Sequence, residues 1–349
     1  MDGITDAVYR YVARRIFDQH TTQDTYMCRT EFMSSDGYLH NWQKLVRHLL
    51  TYPCEYPYTI AQIYGDNADT LTYVAQEIDR KYDFAGIELN IGCPSPKVMS
   101  CGGGVGMLKD KHQTLNTIRQ IATSIGRPFS IKTRIGLSAD DRQEQYDFIL
   151  ASAEYCQTIT IHGRTYRQSH SGSVDRDFIK SIKQALGDRI RVFGNGGIKS
   201  YQDACQHQDI LDGIMIGQAC IGNPWILTPY TPTLLDRYET IMLHLDLSCL
   251  MELYFQDLCH FDHDNQVLLQ PDLQEMMTHR AYIDSFVELD TCHSVIEFRK
   301  HLFNYIHGLP GNKELKMQVA NLKNYHALVD AIKQYFDTLL DTDQDGVRV

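Results

Sequence analysis

A-G-I-E-L-N-I-G-C-P, residues 85–94, decides the fold. Its first part, Ala85 to Asn90, is a short β-rich run ending in polar side chains, and Gly92-Cys93-Pro94 stops it. Polar groups at the end of a strand followed by a turn are what a parallel α/β sheet places at its functional edge. The pattern recurs on both sides of this stretch. Thr25 to Cys28, Tyr58 to Tyr64, Phe129 to Thr133, Thr158 to His162, Arg191 to Gly194 and Gly213 to Ile216 read as further strands. Amphipathic spacing predicts helices between them at Ala68 to Lys81, Gln113 to Ser124, Asp141 to Glu154, Asp177 to Leu186 and Tyr201 to Gln206.

Seven strands in βα alternation point to a (β/α)8 TIM barrel, a fold of about 250 residues, with one strand short. The absent strand is expected to be the first, because almost nothing precedes Asp2-Gly3. From Thr231 the strand signals stop, and Leu234 to Tyr254, Val295 to His307 and Tyr325 to Leu340 carry helical spacing, with a helix stop at Gly308-Leu309-Pro310-Gly311. The expected organisation is a barrel over residues 1–230, an all-helical domain over 231–340 and an acidic tail over 341–349. No internal repeat or low-complexity stretch is visible.

The chain has 349 residues, 43% hydrophobic and 22% charged, which excludes a disordered or fibrous protein. It has no apolar run of the roughly 18 residues that would span a bilayer and no signal-peptide core, so a cytoplasmic location is expected. Ten cysteines without a C-x-x-C pair read as reduced thiols, not as a disulfide framework or a zinc ribbon. Net charge is −11, which counts against a nucleic-acid partner unless a local positive stripe carries the binding.

Polar residues at the ends of the predicted strands are the candidates for chemistry: Gln62, Glu88 and Asn90, Lys132 and Arg134, His162 and Arg164, Asn195 with Gly196 and Gly197, and Gly217 with Gln218. The glycine turns after the last two strands match a barrel phosphate site, where backbone N–H groups hold an anion. Taken alone, G-N-G-G is more often a plain turn, and a lone Lys or His at a strand end is more often a satisfied polar group. Lys132 stands between Ile131 and Thr133 in a buried-looking strand, where a cation requires a partner. Cys93 lies in a G-C-P turn among Gly102, Gly103 and Gly104, where packing gives no reason for sulfur. Cys101 in the same loop is its rival.

With these residues assembled, the sequence resembles the tRNA-dihydrouridine synthases, FMN-dependent barrel reductases. The resemblance runs through M-D-G-I-T-D at 1–6, T-E-F at 30–32, A-Q-I-Y-G at 61–65, E-L-N-I-G-C-P-S-P-K-V at 88–98, G-G-G-V-G-M-L-K-D at 102–110, I-K-T-R-I-G at 131–136, T-I-H-G-R-T at 160–165, G-N-G-G-I at 194–198 and M-I-G-Q-A-C-I-G-N-P-W at 215–225, in family order. F-R-K-H at 298–301 with G-L-P-G at 308–311 looks like the family's helical domain, which lies against tRNA. The resemblance implies that Cys93 is the general acid protonating carbon 5 of a D-loop uracil while reduced FMN, itself reduced by NADPH or NADH, gives hydride to carbon 6. It implies that Asn90 holds the uracil, that Gln62, Lys132 and His162 contact the flavin, and that Asn195, Gly196, Gly197, Gly217 and Gln218 hold its phosphate, with one backbone contact from Met1. Arg134, Arg164 and Arg167 at the mouth, and Arg299 and Lys300 in the helical domain, are the expected tRNA contacts. A thiol suits the acid's role because at neutral pH it keeps a proton that a carboxylate has lost.

Three departures are visible: no Ala-Pro or first strand before M-D-G, Gln218 where the family has Arg, and Gly197 where an acid is usual. Weakened but retained FMN binding is the expected effect. The rival readings are an FMN barrel enzyme acting on a small molecule, similar to a dihydroorotate dehydrogenase, and a tRNA-binding protein with weakened catalysis. The chain is expected to be a monomer with no protein or membrane partner. The calcium-like D-x-D-x-D-G at 341–346 lacks its glutamate, and Cys259, His260, Asp262, His263 and Asp264 crowd one loop, so no metal is expected.

Overall fold

A computed structural model describes residues 1, 3–22, 25–52, 55, 58–207, 210–258 and 292–344. The loop cluster 259–264 and the end of the acidic tail lie outside them. By internal contacts the chain forms two units, one of Met1–Asp2, Met27–Leu50 and Tyr56–Ala219, the other of Gly3–Tyr26, Thr51–Glu55 and Cys220–Val349.

The first unit holds the sheet. Its strands are β1 (Cys28–Arg29), β2 (Met33–Ser34), β3 (Thr59–Tyr64), β4 (Gly86–Asn90), β5 (Phe129–Arg134), β6 (Thr158–His162), β7 (Arg191–Asn195) and β8 (Gly213–Met215). All pair in parallel, in the order β1-β3-β4-β5-β6-β7-β8, and β2 also pairs with β3. β1 meets Thr59 and Ile60 while β2 meets Ile63 and Tyr64, so the two are pieces of a single strand position. Between them Thr30 turns its hydroxyl oxygen to accept the Gln62 N–H at 3.0 Å. Among the described residues the sheet thus has seven strand positions, all parallel, a (β/α)8-type barrel one strand short, followed by C-terminal helices. The T-x-T and I-x-I alternation of β6 shows why these runs are strands: β-branched side chains fit both faces of the pleat.

Helices of this unit are α2 (Ser35–Leu45), α3 (Ala68–Lys81), α4 (Pro96–Ser100), α5 (Lys111–Ser124), α6 (Arg142–Ser152), α7 (Arg176–Leu186) and α8 (Tyr201–Cys205). Their starts follow side-chain caps: Asn67 accepts the Thr70 N–H, Asp110 that of Gln113 and Asp175 that of Phe178, each at 2.9 Å. Such a cap contributes about 1 kcal/mol. Leu71, Val74 and Ile78 of α3, Ile118 and Ile121 of α5 and Ile179 and Ile182 of α7 are buried, as are Ile63, Ile87, Leu89, Ile131, Ile159 and Ile161 of the strands. Each such side chain contributes about 1.5–3 kcal/mol by leaving water.

Strand register separates this apolar layer from a polar one. Gln62 pairs with Glu88; Asn90 with Lys132, and Lys132 with Thr160; Arg134 with His162, and His162 with Asn195. In-register neighbours share a face, and residues two apart along a strand do too. The opposite face of the strands is thus lined with polar side chains.

The second unit contains α1 (Ala7–His20), α9 (Leu234–Leu258), α10 (His293–Tyr305), α11 (Asn312–Val319) and α12 (Tyr325–Gln344). α1 and α11 were not expected from helical spacing, and α12 runs on into the expected tail. Gly308 and Gly311, at φ +82° and +65°, form the turn between α10 and α11. Tyr9 stacks on His301 at 4.8 Å between ring centres, and His244 sits edge-on to His301. The His301 ring takes the Gly222 N–H at 3.2 Å and reaches the Ile4 carbonyl at 3.1 Å, so one neutral imidazole joins three segments. Arg10 and Glu55 pair at 2.7 Å, both fully buried. No described helix is long and apolar enough to cross a membrane.

Candidate active site

The polar face of the sheet is wired by amides whose directions are fixed. The Arg29 guanidinium donates to Glu88 Oε1 at 3.4 Å, and the Gln62 amide nitrogen donates to Glu88 Oε2 at 2.5 Å. That leaves Gln62 Oε1 to accept from Asn90 Nδ2 at 2.9 Å, and Asn90 Oδ1 to accept from the Gly92 N–H at 3.1 Å. A carboxylate accepts only, so Glu88 sets the orientation of the whole chain of bonds up to the residue before Cys93. Glu88 is completely buried, and Arg29 is its ion-pair partner. Neither was assigned a role from sequence; the one available signal was that Glu88 lies two residues before Asn90 and so shares its face.

Lys132 stands in register beside Asn90 and Thr160. Its ammonium has no hydrogen-bond or ion-pair partner among the described residues. Burial pushes its pKa down to about 8, against the pull of the Glu88 carboxylate. His162, one layer nearer the C-terminal rim, is pushed down to about 2 by burial and by Lys132, Arg134 and Arg164. It is therefore neutral. Arg164 Nη1 lies 3.4 Å from His162 Nε2 and can only donate, so the ring proton sits on Nδ1.

Cys93 is half-buried and Cys101 exposed; neither is in a disulfide. The Cys93 carbonyl accepts the Val105 N–H at 3.0 Å, and a Cβ on Gly104, which has φ +57°, would lie 2.7 Å from that carbonyl oxygen. The glycines of the loop thus bring two segments together around Cys93. Lys132 and Arg134 both lie near Cys93. The Cys101 thiol donates to the Lys97 carbonyl at 3.6 Å.

Arg134 differs from the rim contact expected of it. It is 1% exposed, and its guanidinium donates to the carbonyls of Gly92 at 2.9 Å, Thr165 at 3.1 Å and Ser169 at 2.9 Å. It clamps the Cys93 turn to the loop after β6. Arg164 is half-buried and donates to the Gly172 carbonyl at 2.9 Å, while Arg167 is exposed. Asn195 ties β7 to β8 by donating to the Met215 carbonyl at 2.8 Å. Gly196 has φ +107°, and a Cβ there would lie 2.7 Å from the His162 ring; Gly197 has φ +77°. Gly217 has open space around it, Gln218 is exposed, and Met1 is half-buried.

In the second unit, Arg299 donates to the carbonyls of Val319 and Ala320 at the end of α11, and Lys300 pairs with Glu297. Their side chains have structural partners, which F-R-K-H alone did not reveal. Among the described residues no group of three or more His, Cys, Asp or Glu could hold a metal ion.

A parallel βα barrel with its polar side chains and glycine turns gathered where the strands end belongs to the class that builds enzyme active sites at that rim. Within that class the chain belongs to the dihydrouridine synthase family: the family model described as "Dihydrouridine synthase (Dus)" matches residues 1–339. It is 27% identical over 340 residues to tRNA-dihydrouridine synthase B of Pseudomonas aeruginosa, covering 96% of this chain and 91% of that protein. A probable tRNA-dihydrouridine synthase of Rickettsia conorii is 23% identical over 351 residues, covering 99% and 94%. One from Mycobacterium tuberculosis is 26% identical over 348 residues, covering 94% and 78%.

Proposed function

We propose that the chain reduces a uridine in the D-loop of tRNA to 5,6-dihydrouridine, with FMN as its resident cofactor. The observation that carries this is the unpartnered Lys132 ammonium on the polar face, with Gln62 and Asn90 held beside it and glycine turns after β7 and β8. A half-buried cation that makes no hydrogen bond or ion pair among the described residues is costly, and a ligand with an electron-rich edge would relieve it. The residues present fit FMN: Lys132, Gln62 and His162 would meet its ring, and the backbone of Asn195, Gly196, Gly197, Gly217 and Gln218, with Met1, its phosphate side. The exposed Gln218 and the acid-free Gly197 leave backbone donors as the main anion contacts, consistent with weakened binding.

When bound and reduced by NADPH or NADH, FMN would supply hydride to carbon 6 of the base. The residues of the chain do the rest. Asn90, its amide oriented through Gln62 and Glu88, would present a fixed donor and acceptor pair to the uracil edge. Cys93 would protonate carbon 5, and Arg134 holds its turn in place. A base paired inside folded RNA cannot reach this rim, so it must be turned out, with Arg164 and Arg167 meeting the backbone beside it. We assign catalysis to residues 1–230 and docking of tRNA to 231–340, where Arg299 and Lys300 would act through α10 and α11. The chain would act as a monomer. The test is the visible spectrum of the purified chain and its activity on unmodified tRNA. Blue-absorbing flavin that NADPH bleaches and tRNA restores is expected; a colourless chain that takes up no added FMN would overturn the reading.

A further inference from the structure

We infer that Cys249 and Cys292 form an oxidation site of the helical unit, at which a peroxide converts two thiols into one disulfide. Cys249 lies on α9 and Cys292 is the residue immediately before α10. Their sulfurs are 3.6 Å apart, in van der Waals contact, and both side chains are buried. The arrangement is directional. The Glu252 carboxylate accepts the Cys292 S–H at 3.1 Å and, at the start of α10, the N–H groups of His293 at 3.1 Å and Ser294 at 2.7 Å. With the Cys292 proton aimed at Glu252, the Cys249 thiol is left to donate to the Cys292 sulfur.

The two sulfurs are therefore unequal. The bond from Cys249 and the N-terminus of α10 both favour negative charge on Cys292, and Glu252 and burial oppose it. The balance lowers the Cys292 thiol from its ordinary value and raises that of Cys249, whose proton is held by Cys292. Cys292 is the attacking sulfur. Its thiolate takes one oxygen of hydrogen peroxide, forming S–O as O–O breaks, and the departing hydroxide picks up a proton to leave as water. The Cys249 sulfur then attacks the Cys292 sulfur, forming S–S as S–O breaks, and the second oxygen leaves as water. Two thiols and one peroxide give one disulfide and two waters. Burial keeps bulky oxidants out, while the contact makes closure faster than further oxidation of Cys292. The bond links α9 to the residue just before α10 and closes the chain between them into a loop.

The experiment treats the full chain, as purified with its flavin, with hydrogen peroxide, blocks free thiols with N-ethylmaleimide under denaturing conditions and maps peptides by mass spectrometry. A peptide joining Cys249 to Cys292, lighter than its two parents by two hydrogens and split by dithiothreitol, is expected. Cys93→Ala should retain it, and Cys292→Ser should leave Cys249 blocked as a thiol. Recovery of both residues as blocked thiols under conditions that oxidise the exposed Cys101 would overturn the proposal. So would Cys292 found as sulfinic acid beside a free Cys249. The map of the unsubstituted chain decides the matter even where Cys292→Ser fails to fold.

Discussion

Lys132 shows what a single residue costs and what it is for. A cation on the polar face of β5 with no partner among the described residues destabilises the chain when no ligand is bound, and its low pKa of about 8 measures that cost. Between about 8 and the ordinary 10.5 the unfolded chain holds a proton the folded chain has shed, so stability rises with pH across that window and the penalty is fully present below it. Lys132→Met should therefore stabilise the flavin-free chain at neutral pH by about 1–3 kcal/mol, read from urea unfolding. The same substitution should reduce flavin retention, since a charge-assisted hydrogen bond of about 1.5–3 kcal/mol is lost. Opposite signs in the two measurements mark a residue kept for its ligand. A loss in both would make Lys132 an ordinary structural residue.

At the scale of the elements, the Cys93 turn and the loop after β6 are joined by Arg134. Arg134→Met leaves two buried carbonyls and one half-buried one short of a donor and should cost about 2–4 kcal/mol of stability. It should also lower turnover more than substrate affinity, because it displaces the turn that carries the proposed acid; kcat and KM measured on tRNA separate the two. Asn90 and His162 close β4 and β6, and Cys93 follows β4 by three residues, whereas Gln62 and Lys132 lie inside β3 and β5. The strand ends were legible in the sequence because polar residues closing an apolar run before a glycine turn are a local signal. Arg134 belongs to the same set by position, yet its role depends on which carbonyls the loops bring near it, and that is a tertiary fact. Glu88 was among the strand-end candidates but carried no role, because what it does depends on Gln62 and Arg29, which only the register brings beside it. The strand expected over Thr25 to Cys28 instead starts at Cys28 and continues, after a break, at Met33–Ser34, because the break depends on Thr30 accepting the Gln62 N–H.

For the molecule as a whole, the buried histidines His162 and His244 bear on how each unit answers to acid. His162 is pushed down to about 2, and burial takes His244 well below the ordinary 6.5. As pH falls below 6.5 the unfolded chain binds protons that the folded chain refuses, so stability declines by about 1.4 kcal/mol per pH unit for each histidine. His244→Phe should remove one such share from the slope between about pH 6.5 and 5, followed by urea unfolding at each pH. The helical unit was legible as helices but not in its extent: α1, far from it in sequence, belongs with it through Tyr9, Arg10 and His301, contacts that periodicity cannot show. The central claim is that this chain reduces tRNA uridine with a proton from Cys93, and mass spectrometry of nucleosides from unmodified tRNA incubated with the chain, FMN and NADPH tests it directly. Dihydrouridine should form with the unsubstituted chain and with Cys101→Ala. It should fall by roughly 10²- to 10⁴-fold with Cys93→Ala while flavin content is kept. Absence of dihydrouridine from a flavin-loaded chain, or its equal formation by Cys93→Ala, would contradict the account.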